Sequence, residues 1–159
     1  MVLSNRPGVY GLERAQQAGI KTETLDHKNY GDREAFDADL RDKVASYKPD
    51  LVCLAGFMRV LTPVFIEAFT GRLLNIHPSL LPDYKGLHTH ERALADGRTE
   101  AGCTVHYVVP ELDSGEMIVK RRVPILPGDT PDLLAERVLE QEHIAYPEAV
   151  RIVAKKLGL

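Results

Sequence analysis

Residues 75–82 (Asn-Ile-His-Pro-Ser-Leu-Leu-Pro) carry the side chains of this sequence that are best suited to chemistry. Asn75 has an amide donor that can bind a developing oxyanion. Histidines change charge near neutral pH, so His77 can move a proton or stabilise negative charge as an imidazolium. Two prolines stiffen the segment directly after a predicted buried strand, where α/β enzymes place functional loops. An Asn or a His alone is more often a structural residue, but the combination predicts the core of an active site.

Asp113 is the third candidate, in a loop at residues 109–115 that follows another predicted strand. An aspartate before Ser-Gly is usually a turn residue. Beside His77, however, it would hold the imidazole and keep it charged, because a nearby anion favours the charged form. With Asn75 these side chains suit acyl or formyl transfer to an amine through a tetrahedral intermediate. The set has no side-chain nucleophile, which indicates direct transfer.

The elements that must position these residues alternate between short apolar runs and longer helical periods. This alternation predicts an α/β fold with a mostly parallel sheet flanked by helices. The unbroken apolar run at 51–55 predicts a strand that is buried on both faces. Ligands bind beyond the carboxyl ends of such strands, so the loops at 56–61, 75–82 and 109–115 should converge on one pocket.

The remaining histidines and the cysteines give weaker signals. His88 and His90 could suggest a metal site, but their i, i+2 spacing does not bring two imidazoles together on a helix, and no metal is expected. The run is instead interpreted as a loop that shapes the pocket or caps the following helix. His106 either points toward the site or fills a hydrogen-bonded core position, and both interpretations stay open. Cys53 and Cys103 lie in apolar runs and are interpreted as small buried hydrophobic residues in a reducing compartment.

Composition excludes several classes of function. The 159 residues fit one domain, and a net charge of −3 offers no basic surface for nucleic acid. No apolar run approaches the ~18 residues of a membrane span, and the N-terminus lacks a signal-peptide pattern, which predicts a cytoplasmic protein. No glycine-rich loop of the dinucleotide or P-loop type occurs.

Four motifs in fixed order resemble one enzyme family. They are Leu-Ala-Gly-Phe-Met-Arg-Val-Leu-Thr-Pro at 54–63, Gly-Arg-Leu-Leu-Asn-Ile-His-Pro-Ser-Leu-Leu-Pro at 71–82, Gly-Cys-Thr-Val-His-Tyr-Val at 102–108 and Glu-Gln-Glu-His-Ile-Ala-Tyr-Pro at 140–147. Over essentially its whole length the chain resembles the glycinamide ribonucleotide formyltransferases, folate-dependent enzymes of purine synthesis.

The resemblance implies a Rossmann-like fold with an antiparallel C-terminal portion. It implies formyl transfer from 10-formyltetrahydrofolate to the amine of glycinamide ribonucleotide, the third step of de novo purine biosynthesis, without a metal. The expected partners are these small molecules, with no nucleic acid and no membrane, and a homodimer stays open. The alternatives are a formyltetrahydrofolate hydrolase and a non-catalytic folate-binding protein.

The resemblance also assigns roles to individual residues. Asn75, His77 and Asp113 match the catalytic trio of the family. The residues that would bind the folate are Arg33, Met58, Arg59, Val60, Leu61, Asn75, Val109, Pro110, Glu111, Leu112 and Asp113. The residues that would bind the ribonucleotide are Gly56, Asn75, Leu139, Glu140, Gln141 and Glu142.

The N-terminus departs from the family pattern. Members begin with a strand, a phosphate loop rich in Gly, Ser and Asn, and a helix, all before the strand that opens this chain. We therefore expect a single formyltransferase domain at 1–159 that is truncated at its N-terminus. Because the backbone N–H groups of the phosphate loop would bind the substrate's 5′-phosphate, the 159 residues alone should bind the ribonucleotide weakly.

Overall fold

A computed structural model describes all residues, 1–159, and divides them into two units, Met1–Lys48 and Pro49–Leu159. The assignment of residues 1–159 to a single formyltransferase domain stays a prediction.

The first unit is a small parallel β–α–β arrangement followed by a helix. Strand β1 (Val2–Ser4) pairs in parallel with β2 (Thr22–Thr24), and helix α1 (Tyr10–Gln17) connects them. A 3-10 turn at His27–Asn29 leads to α2 (Arg33–Ala45). Asp32 caps α2, because its carboxylate accepts a hydrogen bond of 2.8 Å from the backbone N–H of Ala35.

The second unit is a four-stranded mixed sheet with helices. Its strands lie in chain order: β3 (Val52–Leu54), β4 (Leu73–His77), β5 (Glu100–Tyr107) and β6 (Met117–Pro124). The β3–β4 pair is parallel, whereas β4–β5 and β5–β6 are antiparallel. The helices are α3 (Pro63–Ile66), α4 (Thr89–Ala95) and α5 (Pro131–Lys156). The predicted α/β class and antiparallel C-terminal portion are confirmed.

Strand β5 is the buried centre of the second unit. All residues at 101–106 are buried, so both faces of the strand are covered even though polar and apolar residues alternate along it. The residues of the core cluster come from β5, β6 and α5. They are Ala101, Cys103, Val105, Val123, Leu134, Val138, Ala145 and Ala149. A strand packed on both faces is a rigid support for the residues that it presents at its end.

The burial predicted for Cys53 is wrong, whereas Cys103 is fully buried. Cys53 lies in the middle of β3, and β3 is the terminal strand of the four-stranded sheet. A terminal strand is covered less than an internal one, so the unbroken apolar run at 51–55 is only partly buried.

Helix α5 continues through Pro147 without a break. Thr130 caps its start, and the Tyr146 hydroxyl donates to the carbonyl oxygens of Leu54 at 2.6 Å and Leu74 at 3.2 Å. This phenol therefore ties the helix to the last residue of β3 and to the second residue of β4. No helix of either unit is long and apolar enough to cross a membrane.

Candidate active site

A cleft of about 610 Å³ in the second unit lies where the predicted loops meet. Its wall includes residues from the loop after β3, from the end of β4 and from the loop between β5 and β6. The three strand ends therefore converge as the sequence predicts. Of the residues proposed from the sequence, the cleft is lined by Gly56, Met58, Arg59, Val60, Leu61, Asn75, His77, Val109, Pro110, Leu112 and Asp113.

The end of β4 presents Asn75 and His77 on the same face, since side chains two residues apart in a strand point the same way. The antiparallel register places His106 opposite Asn75 and Thr104 opposite His77. Asn75, His77 and His106 all line the cleft. A strand pair buried in the core thus brings one amide and two imidazoles to one region.

The loop after His77 is fastened to β5 by the hydroxyl of Thr104, a residue with no exposed surface. This hydroxyl donates to the carbonyl oxygen of Ser79 at 2.7 Å and accepts from the backbone N–H of Leu81 at 3.1 Å. The Ser79 hydroxyl closes the same loop by donating to the Asp83 carbonyl oxygen at 2.6 Å. These bonds satisfy buried backbone groups and fix the path of the loop.

His77 lies against Asp113 with both side chains almost fully buried, at 8% and 7% exposure. Its Nε2 is 2.8 Å from the carbonyl oxygen of Tyr84, and since a carbonyl only accepts, Nε2 carries the proton. Nδ1 is then the nitrogen that faces Asp113, 3.5 Å from Oδ2. An imidazolium at His77 would be stabilised by this carboxylate, as the proposed chemistry requires.

His106 occupies the other side of the same carboxylate. Its Nδ1 donates to the Tyr107 carbonyl oxygen at 2.8 Å, and its Nε2 lies 3.7 Å from Asp113 Oδ1. Nε2 is buried and has no hydrogen-bond partner. Burial lowers the pKa of His106, although the hydrogen bond to Tyr107 and the charge of Asp113 act in the opposite direction. Of the two interpretations left open for His106, the site-facing one is the one that the structure supports.

Asp113 is held in an unusual backbone conformation, with φ at +48°. The backbone N–H of Gly86 donates to its Oδ2 at 2.9 Å. Two residues further on, a Cβ at Gly115 would lie 1.8 Å from the carbonyl oxygen of Tyr107. Only glycine permits that approach, which closes the loop between β5 and β6 and aims Asp113 at the two imidazoles.

The outer part of the cleft is apolar. Met58, Val60, Leu87 and Leu112 are large hydrophobic residues with at least half of their surface exposed. An exposed apolar wall beside a few buried polar groups is typical of a small-molecule site, where the wall covers a flat apolar ligand and the polar groups orient it.

Several proposed residues lie elsewhere. Glu111 projects into solvent with 79% of its side chain exposed, and Arg33 is the first residue of α2 in the first unit. Leu139, Glu140, Gln141 and Glu142 lie on α5 outside the cleft wall. Burial raises the pKa of Glu142, against the influence of the charges on His143 and His77. The roles of these residues stay predictions.

The sequence predicts that His90 belongs to a loop that shapes the pocket or caps the following helix, and it gives His90 no chemical role. This histidine lines the cleft, its Nδ1 is buried without a hydrogen-bond partner, and burial lowers its pKa. The only signal was the His-Thr-His run at 88–90, which is the N-terminal end of α4. The structure contains no group of three or more His, Cys, Asp or Glu side chains that could hold a metal ion, and a metal-free reaction stays a prediction.

Comparisons with known proteins identify the family that this chain is similar to. The formyl transferase family model matches residues 1–150. The chain is 52% identical to a phosphoribosylglycinamide formyltransferase of Escherichia coli, over 92% of this chain and 69% of that protein. It is 48% identical to the trifunctional purine biosynthetic protein adenosine-3 of Drosophila melanogaster, over 100% of this chain but only 12% of that protein.

A solved structure is similar over nearly the whole chain. The crystal structure of glycinamide ribonucleotide transformylase 1 from Symbiobacterium toebii superposes with a TM-score of 0.95 at 47% identity, covering 98% of this chain and 73% of that one. Fold and sequence therefore agree over both units. The chain belongs to the phosphoribosylglycinamide formyltransferase family of formyl transferases.

Proposed function

We propose that this chain transfers a formyl group from 10-formyltetrahydrofolate to the amine of glycinamide ribonucleotide. The family implies a folate-derived formyl donor, and the names of the relatives imply the ribonucleotide acceptor and a place in purine biosynthesis. The observation that carries the proposal is the buried contact of 3.5 Å between His77 Nδ1 and Asp113 Oδ2, at a cleft whose outer wall is apolar.

Each polar side chain has a separate role in the proposed reaction. The substrate amine attacks the formyl carbon, and a new C–N bond forms while the formyl oxygen becomes an oxyanion. The Asn75 amide and the His77 imidazolium stabilise that oxyanion, and the Asp113 carboxylate beside His77 orients the ring and balances the charge of the imidazolium. The bond between carbon and the folate nitrogen then breaks, and the proton lost by the amine ends on that nitrogen. These bond changes need no side-chain nucleophile, so the proposed transfer is direct.

The apolar wall supports the choice of donor. Met58, Val60 and Leu112 expose surface that water solvates poorly and that a flat heterocycle would cover. A ring system seated there would bring its formyl group toward the polar end of the cleft. The loop residues Val109 and Pro110 complete the proposed folate site.

The test is formyl transfer by the purified chain, measured as formylated ribonucleotide by mass spectrometry across a range of ribonucleotide concentrations. Asp113→Asn keeps the shape of the side chain and removes its charge, so turnover should fall by about 10²–10⁴-fold. Asp50→Asn, at an exposed carboxylate, is the matched control and should be unchanged.

Other outcomes would select the alternatives. Release of formate without an amine acceptor would indicate a hydrolase. Folate binding by calorimetry without any turnover would indicate a non-catalytic folate-binding protein. Equal turnover of Asp113→Asn and the unmodified chain would contradict the role of the trio.

A further inference from the structure

Lys85 makes a contact that the proposed chemistry does not use. Its Nζ donates to the Ser114 hydroxyl at 2.5 Å and lies 3.8 Å from a carboxylate oxygen of Glu111. Lys85 belongs to the loop between β4 and α4, and Ser114 to the loop between β5 and β6. Neither residue lines the cleft. We propose that Lys85 is a positioning residue, which clasps these two loops together and thereby fixes Asp113 against His77.

The clasp acts on Asp113 through adjacent residues on both loops. The Lys85 side chain binds Ser114, and the backbone N–H of the next residue, Gly86, donates to Asp113 Oδ2 at 2.9 Å. Asp113 itself has a left-handed φ of +48°, a conformation that costs roughly 1–3 kcal/mol at a non-glycine residue. Such a residue keeps its conformation only when contacts around it hold it there, and these two contacts do so.

Arg92 of α4 binds the main chain of the loop that carries Lys85. Its Nη1 donates to the carbonyl oxygens of Lys85 at 2.8 Å and Leu87 at 3.3 Å, which flank Gly86. Its guanidinium also lies 5.2 Å from the centre of the Tyr84 ring. The segment at 84–87 is therefore anchored to the helix, and movement of Ser114 is resisted through Lys85.

The hydrogen bond from Lys85 to Ser114, rather than the ion pair with Glu111, is the contact that positions Asp113. The Glu111 side chain is 79% exposed. An ion pair with so much access to water is screened and contributes little to stability. The Ser114 hydroxyl donates to the Leu112 carbonyl oxygen at 3.0 Å, so its oxygen is left to accept from the Lys85 ammonium. Loss of this bond should therefore change the placement of Asp113 more than the stability of the fold.

The first test is kinetic and rests on the proposed function. Lys85→Met keeps the length of the side chain and removes the donor. We expect kcat for formyl transfer to fall about tenfold to a hundredfold, because small displacements of a reacting group have effects of that size. The KM values of both substrates should change little, since Lys85 lies outside the cleft. Lys85→Arg should restore most of kcat, and Lys155→Met, in the last turn of α5, should match the unmodified chain.

The second test does not depend on activity. The Gly86 amide proton reports on its bond to Asp113, so its NMR shift should move and its hydrogen exchange should quicken in Lys85→Met but not in Lys85→Arg or Lys155→Met. Ser114→Ala should reproduce the loss in kcat, and the double variant should be no worse than either single one, because both remove the same bond.

The outcomes separate the two proposals. Unchanged exchange at Gly86, or losses in kcat that multiply in the double variant, would overturn the clasp. If the unmodified chain transferred no formyl group while the Gly86 amide still responded to Lys85→Met, the proposed function would fail and the clasp would stand.

Discussion

The Thr104 hydroxyl offers the sharpest test of how the loop after His77 is held. It donates to Ser79 and accepts from Leu81 in a place with no access to solvent. Thr104→Val has almost the same shape, so it removes the hydrogen bonds and leaves the packing. Each buried backbone group left without a partner costs about 1–3 kcal/mol. With two such groups, we expect the free energy of unfolding to fall by about 2–4 kcal/mol.

Denaturant unfolding followed by circular dichroism measures this change, provided that the slope with denaturant is the same for each variant. Thr104→Ser keeps both bonds and loses one methyl group, so it should cost only about 1 kcal/mol. Thr99→Val alters an exposed threonine just before the start of β5 and should stay within about 0.5 kcal/mol of the unmodified chain.

A loss below about 1 kcal/mol in Thr104→Val would refute the reasoning, because it would mean that Ser79 and Leu81 find other partners at no cost. A loss equal to that of Thr99→Val would refute it as well. Thr104→Val should also lower kcat, since the loop that it loosens begins at His77.

Two further predictions concern the same region. Gly115→Ala would bring a Cβ within 1.8 Å of the Tyr107 carbonyl oxygen, so it should cost about 1–3 kcal/mol in unfolding free energy and most of the activity, whereas Gly31→Ala, with open space around it, should not. Because the folded-state pKa of His106 is depressed, its contribution to stability is present above the unfolded value of 6.5 and is lost as pH falls through the folded value. His106→Gln should therefore weaken the decline in unfolding free energy on acidification, and an unchanged decline would contradict this account.

Much of the site could be predicted because the ends of buried strands are recognisable in a sequence. The apolar run before Asn75 and the two prolines after His77 located the loop, and the parallel order placed it beside the turn at 56–61. Asp113 was found because its loop also follows a strand. These inferences depend on local patterns and on the rule that ligands bind at the carboxyl ends of strands.

The remainder depends on contacts between distant residues. Nothing local shows that Gly86 donates to Asp113, or that Lys85 reaches Ser114, because each pair joins loops nearly thirty residues apart in the chain. The exposure of Cys53 depends on the position of β3 at the end of its sheet, and a single strand does not carry that information. The sequence likewise left the orientation of His106 open, since β5 is buried on both faces.

The partners that select the proton positions of His77 and His106 are the carbonyl oxygens of Tyr84 and Tyr107. Both are main-chain atoms, which every residue type provides. The choice of which ring nitrogen faces Asp113 is therefore made by the path of the main chain at 84 and 107. An insertion or deletion between 77 and 84 would displace the Tyr84 oxygen, so we expect chains that keep this chemistry to keep the length of that loop.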